Sequence, residues 1–107
     1  MRAGELRSRL VVESPQRISD GAGGAVTSWL ETATIWANVA PTSASEQRSA
    51  EQRAEKVTHR ITLRYRNDIN ATMRFVGNGR IFNIEAIINE AERDQWLVCL
   101  CAEGITA

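Results

Sequence analysis

The sequence predicts a mainly β protein: a small β-barrel of about six strands, with one helical or loop insertion between the second and third strands. Three observations carry this reading. Residues 57–66, VTHRITLRYR, alternate apolar and polar side chains without a break, as a half-buried strand does. Asn78-Gly79 separates two β-prone runs, the strongest short-range signal for a hairpin. The other β-prone runs are short and are divided by Gly, Pro, Asn and Asp. Closing such strands into a barrel removes the exposed edges that an open sheet would present.

At 107 residues, the chain fits a single domain, 1–107. A domain of this size hides roughly 60–70% of the surface its unfolded chain exposes, enough for one core.

The first strand opens at Leu6. Leu6, Ser8, Leu10 and Val12 fall on one face, Arg7, Arg9, Val11 and Glu13 on the other. Pro15 is expected to end it. The DGAGG stretch at 20–24 is expected to turn the chain. A second strand follows from Ala25 to Val39, carrying Trp29, Ile35, Trp36 and three threonines. Its alternation breaks near Glu31–Ala33, which predicts a bulge, and Pro41 closes it.

Residues 42–56 form the insertion. SASEQRSAEQRAEK contains no apolar residue larger than alanine. Ser43 followed by Glu46 fits a capping box, and Ala, Gln, Arg and Glu are good helix formers. Ala44, Gln47, Ala50 and Ala54 make a narrow stripe of small residues. Arg48 can pair with Glu51, while Glu51 and Glu55 repel. A lone helix of this length is marginal in water. The segment is therefore either a solvated connector or one ordered by a neighbouring molecule.

In the third strand, Val57, His59, Ile61, Leu63 and Tyr65 share one face, and Thr58, Arg60, Thr62, Arg64 and Arg66 the other. NDIN at 67–70 turns the chain, and Met73–Val76 is a short strand. After the Asn78-Gly79 turn, Arg80–Asn89 alternates again. Phe82, Ile84, Ala86 and Ile88 oppose Ile81, Asn83, Glu85 and Ile87. A polar turn at 90–94 leads to the last strand, Gln95–Ala102. Both of its faces are apolar, which predicts a central or doubly covered strand.

Composition narrows the function classes. Thirteen basic and thirteen acidic residues give a formal net charge of zero, against a strongly basic nucleic-acid binder. No apolar run is long enough for a membrane span. The N-terminal apolar segment is too short for a signal peptide, so the expected compartment is a cytoplasm. GAGG lacks the lysine and the strand-to-helix context of a phosphate loop. No nucleophile elbow or carboxylate cluster with metal spacing is present, so no enzyme, cofactor or metal is expected. Cys99 and Cys101 share one face of an apolar strand and read as buried thiols, a reactive or metal-binding role being the alternative. His59, the single histidine, reads as a packed side chain, since a general base needs a positioned partner.

Arg60, Arg64 and Arg66 admit two readings. They form either an outer face paired with carboxylates, or a contact surface for nucleic-acid phosphates or an acidic protein, with Arg74 and Arg80 nearby. Stacking platforms for single strands need aromatic residues, and Tyr65 is expected to point the other way.

The order of landmarks resembles the phage head–tail joining proteins, also called head-closure or stopper proteins, of long-tailed phages. The landmarks are GELRSRLVVES at the start; Asp20, Gly23, Gly24 and Trp29; Trp36, Ala37, Val39 and Pro41; Thr58, His59, Arg60 and Ile61 through Arg64-Tyr65; Gly79, Arg80, Phe82 and Ile84; and the closing LVCLCAE. They span almost the whole chain, and their order is more specific than any one of them. The resemblance implies a barrel with a long connection between its second and third strands. It also implies a ring of copies of itself, roughly twelve-fold, in the assembled particle. The ring would sit below a portal or adaptor, close the channel after DNA packaging, and dock a tail terminator or tail protein. Packaged double-stranded DNA would pass through it. The compartment implied is a virion or phage-like particle, including a prophage remnant or gene-transfer particle, assembled in a bacterial host cytoplasm.

By the same resemblance, Ser43, Glu46, Gln47, Arg48, Ala50, Glu51, Arg53, Ala54, Glu55 and Lys56 would face the channel or neighbouring subunits. Asp20, Gly23 and Gly24 would make loop contacts. Family members often carry bulky apolar residues in this insertion. Alanines in their place point to a hydrated gate rather than a hydrophobic seal. Zero net charge would let DNA pass without sticking, since strong positive charge binds phosphates.

Overall fold

The computed structural model describes residues 2–43 and 57–104. Its strands are β1 (Ser8–Ser19), β2 (Ala25–Pro41), β3 (His59–Arg64), β4 (Arg74–Gly77), β5 (Arg80–Asn89) and β6 (Trp96–Gly104). They pair antiparallel in the order β1-β2-β3-β6-β5-β4, and β4 returns to β1, which closes the barrel. Short 3-10 turns at Ala3–Glu5 and Glu90–Glu92 precede β1 and β6. The expected class, the six strands and the hairpin at Asn78-Gly79 are those observed.

Period-two patterning builds the interior. Leu10 and Val12, Ile35 and Ala37, Ile61 and Leu63, Phe75, Phe82 and Ile84, and Leu97, Cys99 and Cys101 form one buried cluster. Burying each phenylalanine contributes about 1.5–3 kcal/mol. The β4–β5 turn is the one expected. Asn78 (φ 53°) and Gly79 (φ 74°) both take positive φ between paired Gly77 and Arg80, the requirement of a two-residue primed turn. The β2 bulge is also where the pattern broke. Val12 pairs with Ala33 and Glu13 with Glu31, which leaves Thr32 as the extra residue. Its hydroxyl donates to the Val12 carbonyl at 3.2 Å.

Three expectations need correction. β1 does not stop at Pro15 but runs to Ser19, paired with β2 as far as Ala25. β4 covers β1 only from Val11 to Glu13. Beyond that no described strand pairs with this edge of β1, and a residue without an N–H is tolerated there. The β5 alternation does not hold to its end. The register with β6 shifts between Ile84 and Ala86, so Ile87 packs against the core and Ile88 is 47% exposed. β3 is shorter than expected, and Arg66 lies beyond it, just before a bend at Asn67 and Asp68.

The consequence of the long β1 and β2 is a ribbon. Residues from Ser14 to Ser19 and from Ala25 to Leu30 pair beyond the closed part of the sheet. Its tip is tied by Asp20. The Asp20 carboxylate accepts from the Ala22 and Gly24 amides at 2.8 and 3.1 Å, and its own N–H donates to the Gly24 carbonyl.

Candidate functional site

The stem of the insertion carries a connected set of hydrogen bonds. Thr42 and Thr58 stand at its two ends. The Thr42 amide donates to the Thr58 carbonyl at 3.1 Å, and its hydroxyl to the Val57 carbonyl at 3.4 Å. Val57 is fully buried. The Thr58 amide and hydroxyl both donate to the Cys101 carbonyl, at 2.9 and 3.4 Å. That hydroxyl also accepts from the Glu103 amide at 2.8 Å. Chain leaving the insertion is thus fastened to β6, and chain entering it is fastened to Val57 and Thr58.

His59 and Arg80 close this stem. His59 sits edge-on to Phe82, with ring centroids 5.1 Å apart. Its Nδ1 lies 3.0 Å from the Thr58 hydroxyl and its Nε2 lies 3.2 Å from Arg80 Nη2. Arg80 can only donate, so the network assigns Nε2 as acceptor and Nδ1–H as donor. Arg80 also makes a two-pronged pair with Glu103, at 2.8 and 3.1 Å, and lies over Phe82. This pairing holds the Glu103 carboxyl below the usual carboxylate range. The histidine is packed and partnered, as its place on an apolar face predicts.

The arginines do not form one row. Arg66 pairs with Asp68 through two hydrogen bonds of 2.9 Å, which raises its own pKa and lowers that of Asp68. Arg74 donates to Glu13 at 2.7 Å and lies over Trp29. Arg64 lies 5.5 Å from the Trp96 ring centroid. Arg60 is half-buried, and its Nε has no hydrogen-bond partner among the described residues. Among the described residues, Arg60 and Arg64 have no carboxylate within ion-pair distance.

Cys99 and Cys101 are buried and unbridged, with the Cys101 thiol donating to the Cys99 carbonyl at 3.6 Å. Burial pushes the Cys99 thiol up to about 12 and raises that of Cys101 too. Neither is a nucleophile at neutral pH. Among the described residues no group of three or more His, Cys, Asp or Glu could hold a metal, and no helix is long and apolar enough to cross a membrane.

Of the residues expected to face a channel or neighbours, Ser43 stands at the edge of the described chain. Glu46, Gln47, Arg48, Ala50, Glu51, Arg53, Ala54, Glu55 and Lys56 lie outside the described residues. Asp20, Gly23 and Gly24 form the exposed ribbon tip.

Residues 1–104 match the profile of the family described as phage head completion protein. The chain belongs to that family. It is similar to protein SF1141 from Shigella flexneri 2a, known from a solution structure. The two are 34% identical, with a TM-score of 0.77 and full coverage of both chains. It is also similar to a chain in the virion of a native gene transfer agent particle. There the identity is 27% and the TM-score 0.68, over 94% of this chain and 97% of that one. No curated relative matches the chain.

In a head completion family member, surfaces left free by the barrel acquire meaning. Two were not singled out from the sequence. Ile18 (46%), Val26 (56%) and Leu30 (56%) are exposed on the ribbon. Ile18 pairs directly with Val26, and Leu30 pairs with Ser14 two rungs further on the same face. The period-two run through Gln16 and Ile18 past Pro15 was the signal available. Trp36, 58% exposed on the barrel wall, is the other.

Proposed function

We propose that this chain is a structural component of the head–tail junction of a phage or phage-like particle. Copies form a ring under the portal or adaptor, close the DNA channel after packaging and offer the tail its docking surface. The observation that carries this reading is the family match across residues 1–104. The similar chain in a gene transfer agent virion supports the same setting.

Two features of the fold suit a ring. The ribbon carries Ile18, Val26 and Leu30 away from the barrel, where a neighbouring copy can cover them. Apolar side chains presented by a rigid hairpin gain from burial in an interface. The stem delivers residues 42–56 as one excursion, whose ends are joined where Thr42 bonds Thr58. In this proposal the excursion faces the channel or an adjoining subunit, and its contacts form on assembly. The ring is roughly twelve-fold.

The decisive experiment is negative-stain microscopy of particles made without this chain. Filled heads that leak DNA and lack tails are expected. Normal tailed particles would overturn the reading. Hydrogen exchange gives the finer check on the insertion. Residues 43–56 should exchange fast in the free chain and slowly in the particle; equal rates would remove them from any interface.

A further inference from the structure

The wall of the barrel carries a strip that its own core does not explain. Arg9 pairs with Trp36 across β1 and β2, and Arg64 pairs with Trp96 across β3 and β6. The β2–β3 ladder ends at Ala37 opposite Leu63. One step further on, Trp36 and Arg64 come alongside each other. The four residues therefore read Arg9, Trp36, Arg64, Trp96 across four neighbouring strands on the outward face. Trp36 is more than half exposed, and Arg9 and Arg64 are exposed. Among the described residues, neither arginine has a carboxylate within ion-pair distance. Ala3 and Leu6 flank Trp36 and Arg64 around a shallow recess of ≈ 390 Å³.

We infer that this strip docks an acidic segment of a neighbouring particle protein, one that also inserts an apolar side chain into the recess beside Trp36. The inference rests on the head–tail reading and names a partner surface for it. Tryptophan and arginine are the residues on which binding energy concentrates at protein interfaces. Two guanidinium groups unpaired by carboxylate, Arg64 between the indoles and Arg9 beside Trp36, offer charge complementarity to carboxylates, and the recess between Ala3, Leu6 and Trp36 gives an anchor its place.

Duplex DNA fits less well. Its affinity comes from neutralising many phosphates, whereas this strip offers two unpaired charges on a chain of zero net charge. Indoles cannot stack on bases that remain paired. A second copy fits less well too. The chain's acidic turn, Glu90 to Asp94, adjoins Trp96 at the same end of the barrel. A head-to-tail ring instead joins unlike surfaces of neighbouring copies.

The test places a photo-crosslinking amino acid at position 36 in chains carried by assembled particles. The expected product is an adduct to a Glu/Asp-rich segment of a different particle protein, identified by mass spectrometry. Its yield should fall at least about tenfold when Arg9→Glu and Arg64→Glu are combined, and in the same direction with the milder Arg64→Gln. Adducts to DNA, adducts to another copy, no adduct from particles that contain the chain, or a yield indifferent to both variants would overturn the inference. Particles from which the chain is absent would instead overturn the head–tail reading, and this inference with it.

Discussion

The guanidinium of Arg74 lies 3.9 Å from the centroid of the Trp29 ring. Arg74 belongs to β4 in the barrel, whereas Trp29 belongs to the ribbon. The same guanidinium donates to Glu13, where β1 leaves the closed sheet. One side chain thus holds the ribbon at its root. Arg74→Ala should cost about 2 kcal/mol, measured by urea unfolding. Residues 14–19 and 25–30 should show the largest gain in hydrogen exchange. Arg74→Lys keeps the charge but loses the planar stack, so it should recover only part of the loss. Uniform acceleration across the barrel would refute the anchoring role.

Gly77 is required by space. A Cβ there would stand 2.6 Å from Leu10 Cδ2 and 2.9 Å from the Arg9 carbonyl. The second contact is backbone and cannot swing aside. Gly77→Ala should destabilise by about 1–3 kcal/mol, the usual cost of overpacking. An unchanged urea midpoint would show that β1 and β4 can part without loss.

Arg80 sets the acid response of the stem. Glu103 titrates below its ordinary value because Arg80 hydrogen-bonds its carboxylate. A depressed folded value means that the pair's contribution is fully present above the unfolded carboxylate pKa. It is lost as pH falls through the lower folded value. In an NMR titration of the Glu103 carboxyl, Arg80→Ala should move the midpoint up. Identical midpoints in the two proteins would contradict the pairing.

Both thiols should be silent in the folded chain. With Cys99 pushed up to about 12 by burial and Cys101 raised as well, a disulfide reagent at pH 8 should label neither until urea unfolds the protein. Two thiols per chain should then react together. Fast labelling under native conditions would mean that β6 opens locally.

Much of this fold was legible because period-two alternation and turn chemistry are local signals. Asn78-Gly79 and the Thr32 bulge could be found that way, and so could the doubly apolar β6, which lies between β3 and β5. The Pro15 and Ile88 errors share one cause, which is pairing between distant strands, whereas the Arg66 error is local. Pro15 reads as a stop unless β4 is known to end its cover at Glu13. Ile88 reads as core unless the shift opposite Cys101 and Leu100 is known. Arg60, Arg64 and Arg66 read as one row until Asp68 claims Arg66 and Trp96 lies under Arg64. The Arg9–Trp36–Arg64–Trp96 strip was invisible for the same reason, since its members lie on four strands.

The Thr42–Thr58 clasp separates the excursion from the sheet that bears it. Loop closure costs only about 0.6 kcal/mol for each doubling of length when the ends are already held together. A longer or shorter connection between the two threonines accordingly adds little to the entropy of closing the loop. Descent with modification can therefore change the length of that one contiguous stretch of codons while the clasp keeps its two ends together.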